Sequence, residues 1–74
     1  MILIEDLLKE KSISSYREEL TNELLSFTDD IVVDVISQDR LCIIDEGEDI
    51  KDICSTICFI LLGWGFTSFS LSIE

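Results

Sequence analysis

A chain of 74 residues and 8.4 kDa has room for one small domain spanning residues 1–74, and surface scaling lets such a chain bury only about three fifths of its unfolded surface. Five Lys and Arg against sixteen Asp and Glu give a net charge of −11 and a pI near 4.1, which excludes direct nucleic-acid binding, because Lys9, Lys11, Arg17, Arg40 and Lys51 lie scattered among acids and form no basic stripe for phosphates. An apolar fraction of 47% with mean hydropathy +0.38 excludes intrinsic disorder, and the absence of histidine removes the commonest general base and metal ligand.

Along the chain, Leu3 or Ile4 with Leu7 and Leu8 stand at helical spacing, and Glu5 and Lys9 form an i,i+4 pair, so a short first helix is predicted over residues 3–11. The segment MILIEDLLKEK carries acids directly after its first apolar residues and has no basic n-region, so it does not read as a signal peptide. Ser15 with Glu18 three residues on reads as a capping box opening a second helix, whose Tyr16, Leu20, Leu24 and Phe27 form one apolar side. After the turn cluster Thr28-Asp29-Asp30, the β-branched run 31–36 reads as a strand buried on both faces and therefore central. Residues 41–45 form its hairpin partner.

A third helix is predicted from Ile50, Ile53, Cys54, Ile57, Cys58 and Leu61, the clearest helical stripe in the chain, with Gly63 and Gly65 as its stop. Residues 66–74 alternate, with Phe69, Leu71 and Ile73 on one side and serines on the other, as a half-buried strand does. The expected architecture is an α+β two-layer sandwich of order α-α-β-β-α-β. Its three-stranded antiparallel sheet has order 2-1-3, and helices cover one face. The alternative places the last strand parallel beside the second.

The 21 residues 53–73 contain no charge and are long enough to span a bilayer as a helix. Interspersed Ser, Thr and Gly and the strand-like alternation at the end argue against a membrane anchor. Asp45, Glu46, Glu48, Asp49 and Asp52 resemble a cation cage only loosely, since the EF-hand spacing is absent; acids before a helix are what its dipole favours. Cys42, Cys54 and Cys58 lack the fourth ligand that zinc needs and the base that a nucleophile needs, and they read as core filling in a reducing cytoplasm. No cofactor, metal site or catalytic residue is expected.

What remains is protein binding. Glu18, Glu19 and Glu23 should form an acidic edge continued by Asp29 and Asp30, with Asp45, Glu46, Glu48, Asp49 and Asp52 as a second cluster. Phe59 and Trp64 belong to an apolar excess outside the helical stripe, which either is buried within the domain or docks a partner or a second copy as a homodimer. Small size and strong acidity are shared with anti-CRISPR and anti-restriction proteins, a likeness of composition with no motif behind it. The expectation is a cytoplasmic inhibitor, of a phage or mobile element and acting in the host cytoplasm if viral, that occludes the basic nucleic-acid-binding surface of a partner protein. The alternatives are an acidic immunity or antitoxin protein neutralising a nuclease, and a small structural subunit.

Overall fold

The structure, a computed structural model, describes residues 1–45 and 50–74. Strand β1 (Ile2–Asp6) comes first, followed by a 3-10 turn (Ile13–Tyr16), helix α1 (Arg17–Leu25), strands β2 (Ile31–Ser37) and β3 (Arg40–Asp45), helix α2 (Ile50–Gly63) and strand β4 (Phe69–Ile73). The four strands form one sheet of order β2-β3-β1-β4, antiparallel at every pairing. This connectivity is the split β-α-β, or ferredoxin-like, arrangement. Such a topology hosts many unrelated functions and assigns none.

The expected α-α-β-β-α-β order with a three-stranded sheet is therefore wrong at its first element. Residues 2–6 are a strand, and it is central: β1 pairs with β3 on one side and with β4 on the other. Ile2, Ile4 and Asp6 point into the core, whereas Leu7 and Leu8, which made the segment look helical, are 51% and 49% exposed. Ten or so residues make only a marginal helix, while a central strand satisfies its backbone on both edges, so tertiary pairing decides the outcome. The order 2-1-3 fails with it. The hairpin at residues 31–45 exists, but β3 is its inner strand and β2 lies at the sheet edge. The last strand joins neither hairpin strand but pairs with β1.

One local expectation also changes. The Ser15 hydroxyl donates to the Ser12 carbonyl at 2.8 Å, which commits it to the 3-10 turn, and α1 begins after Tyr16 with no side-chain cap. Leu20 and Leu24 of α1 are buried with Ile53, Ile57 and Leu61 of α2 against Ile2, Ile4, Val33, Leu41 and Ile43 of the sheet, all in one core. Phe27, expected on the same apolar side, lies beyond α1 and is exposed. Helix α2 ends in a Schellman turn: Phe66 N–H donates to Leu61 O at 2.9 Å and Gly65 N–H to Leu62 O at 3.1 Å, with Gly65 at φ +92°. Phe66 and Leu61, the pair this motif brings together, are both buried.

Candidate interaction surface

Both helices lie on one side of the sheet, so the other side has no layer over it among the described residues. Strand alternation fixes what it displays. Because Ile2, Ile4, Leu41 and Ile43 face the core, their neighbours Leu3, Glu5, Arg40, Cys42 and Ile44 face away from it. Val32 and Asp34 of β2, opposite Ile44 and Cys42, join them, as do Ser70 and Ser72 of β4, opposite Glu5 and Leu3. Val32, Ile36 and Ile44 are 50%, 53% and 42% exposed, an apolar group on a surface that ordinarily carries polar residues.

Among the described residues, two depressions mark this face. One, of about 210 Å³, lies between Leu3, Ile36, Ser70 and Ser72 and is crossed by the ion pair of Arg40 with Glu5, 3.3 Å long. The other, open and about 380 Å³, is lined by Asp29, Asp30, Val32 and Ile44. Asp29 and Asp30 thus rim the apolar end of β2. Glu18, Glu19 and Glu23 are exposed on α1, in the helix layer, and Asp52 is exposed in the first turn of α2. The structure brings Asp29 and Asp30 together with the sheet face, and it places the α1 glutamates on a separate element. Asp45 is half-buried at the end of β3. Glu46, Glu48 and Asp49 lie outside the described residues.

Three of the cations hold specific partners. Lys11 Nζ donates to the Trp64 carbonyl at 2.7 Å and stands 5.5 Å from the centre of the Phe66 ring; Arg17 Nε donates to the Val33 carbonyl at 2.7 Å. Two of the five positive side chains therefore serve main-chain carbonyls, and Arg40 serves Glu5. Of the two aromatic candidates, Phe59 stands 78% exposed on α2. Trp64 is half-buried, stacked on Tyr16 at 5.3 Å, while Tyr16 meets Phe66 edge-on at 5.1 Å. Its ring is engaged within the fold.

Cys42, between the core-facing Leu41 and Ile43, is on the far side of the sheet from Cys54 and Cys58 of α2. Burial raises the Cys54 thiol pKa, and the neighbouring Cys58 adds to the rise. Among the described residues no group of three or more His, Cys, Asp or Glu is placed to hold a metal ion, and no helix is long and apolar enough to cross a membrane. The uncharged run 53–73 is divided between α2, the Trp64 turn and β4.

Sequence reading missed Val32, Ile36 and Ile44 as surface residues because a β-branched run looks doubly buried. The available signal was Asp34, whose charge marks the wet side of that strand. The chain matches no family model, no curated protein and no solved structure.

Proposed function

We propose that this chain is a small acidic protein-interaction domain of the cytoplasm that binds and occludes a basic, nucleic-acid-binding surface of a partner protein, as an anti-defence inhibitor of a phage or mobile element would. The observation that supports this reading is the disposition of charge: Lys11 and Arg17 are spent on main-chain carbonyls, leaving Glu18, Glu19, Glu23, Asp29 and Asp30 exposed in a chain of net charge −11. A summed field of this kind steers a basic partner and weakens with salt. An immunity or antitoxin role against a nuclease uses the same field. A structural subunit is favoured instead by the exposed Val32, Ile36 and Ile44, which suit a partner that docks on the sheet.

Salt separates these readings. With a partner recovered from lysate, charge mimicry predicts that duplex DNA competes with the chain, that association slows steeply between about 50 and about 500 mM salt, and that Lys at positions 18, 19 and 23 together slows it further. An association rate flat across that range, with DNA unable to compete, refutes charge mimicry and supports docking through the apolar sheet face.

A further inference from the structure

The two edges of the sheet are built differently. At the β2 edge the outward main-chain groups belong to Ile31, Val33 and Val35, since Val32 and Asp34 bond to β3. That edge is guarded: Arg17 caps the Val33 carbonyl at 2.7 Å, Asp34 places a charge in the strand, and the pairing is irregular between Val35 and Ser37. Among the described residues, the β4 edge has no such device. Glu74 N–H bonds to Met1 O at 2.8 Å and Leu7 N–H to Ser68 O at 3.0 Å, so the even-numbered residues of this segment bond to β1 and the N–H and C=O groups of Phe69, Leu71 and Ile73 point outward. Among the described residues nothing bonds to those outward groups, and the strand FSLSI contains no charge and no proline.

We infer that the β4 edge is a homodimerisation site, at which β4 pairs antiparallel with β4 of a second copy and joins two four-stranded sheets into one. The strand is complementary to itself. With Leu71 on the twofold axis, Leu71 meets Leu71, Phe69 meets Ile73 and Ser70 meets Ser72. The outward groups then form six N–H···O bonds, two at each of the pairs Leu71–Leu71, Phe69–Ile73 and Ile73–Phe69. On the helix side the new contact is wholly apolar, and it covers Ile73, now 53% exposed. On the open side it is a row of hydroxyls.

Charge favours this occupant. Two chains of −11 repel wherever their acids face each other, yet residues 53–73 carry no charge and Lys11 adds a positive one at the Trp64 turn, so the end of α2 and β4 present a like molecule with no acid of their own. A basic partner gains nothing there and is drawn to the acids elsewhere. This inference is therefore independent of the proposed inhibitory role and responds oppositely to salt.

Sedimentation velocity on the full chain, over about 5 to about 500 µM, tests it. The mass should rise with concentration from 8.4 kDa towards twice that value, and added salt should tighten association. Ser70→Lys with Ser72→Lys sets like charges opposite each other across the axis without touching the core, and should weaken dimerisation about tenfold or more. A general charge effect runs the other way, because two lysines lower the net repulsion. In the dimer the Phe69, Leu71 and Ile73 amides should exchange slowly with solvent, and at high dilution they should exchange fast. A monomer at every concentration overturns the inference and leaves this edge to a strand of another protein. So does a dimer that withstands both lysines but is lost on Phe59→Ser, which would place the contact on α2.

Discussion

Arg17 Nε donates to the Val33 main-chain carbonyl at 2.7 Å, tying the first residue of α1 to the outer edge of β2. A charged donor on an outward-facing carbonyl does two things: it docks the helix on the sheet and it closes one site at which a foreign strand could pair. Arg17→Met keeps the apolar stem and removes the fork. It should cost about 1–2 kcal/mol, seen as a lowered urea midpoint, and should raise aggregation on heating. A midpoint unchanged from the parent would mean that water replaces the guanidinium without loss.

Ile4 and Leu8 make a matched pair of tests for the first element. Ile4 is buried in the centre of the sheet, so Ile4→Ala should cost about 2–5 kcal/mol, enough to unfold much of a domain this small. Leu8→Ser should change stability by less than about 0.5 kcal/mol, since Leu8 is half exposed beyond the strand. Were the segment a helix packed through its Leu7 and Leu8 side, the second substitution would be the damaging one. Circular dichroism melts of the two variants decide between the arrangements.

That contrast shows what periodicity can and cannot resolve. Helix α2 was legible because Ile53, Ile57 and Leu61 repeat over three turns, a pattern no strand shares. In β4 the alternation of Phe69, Leu71 and Ile73 with serines was equally decisive. The strand β1 was not legible: Ile2, Leu3 and Ile4 fit either period over so short a stretch, and Glu5 with Lys9 added a helical pairing by coincidence. Misreading it displaced the whole sheet order, because the central strand fixes who pairs with whom. The acids of the candidate surface could be named from composition, but their partition between α1 and the β2 rim depends on the turn joining those elements. The apolar sheet face around Val32 and Ile44 follows from β2 being an edge strand, which no local pattern states.

At the end of α2, Gly63 and Gly65 should respond in opposite directions. Gly65 holds φ +92°, and a Cβ there would also press on the Lys11 ammonium that bonds to Trp64 O. Gly65→Ala should therefore cost about 1–2 kcal/mol, chiefly from backbone strain, and should loosen the Schellman turn that seats Phe66. Gly63 has open space around its Cβ position and no positive φ, so Gly63→Ala should be neutral or stabilising by up to about 0.5–1 kcal/mol. Thermal melts that rank the two variants the other way would rule out this account of the helix stop.

The Cys54 thiol provides a pH test with a definite sign. Burial lifts its pKa above the ordinary 9.0 and the neighbouring Cys58 adds to the rise, while the N-terminal ammonium opposes it. A raised pKa means that the folded state holds this proton more tightly than the unfolded chain does. Its contribution is therefore complete below pH 9 and is lost as pH climbs from there through the folded-state pKa. Urea midpoints measured at intervals from about pH 7 to about pH 10.5 should fall at the alkaline end, and less steeply in Cys54→Ala, which lacks the titrating group. Iodoacetamide should in parallel label Cys54 more slowly in the folded protein than in urea near pH 8, because the thiolate is the reacting form. Identical alkaline slopes in the two chains, together with equal labelling rates, would show that Cys54 lies in an environment as wet as the unfolded chain and that α2 packs more loosely along that side than the structure describes.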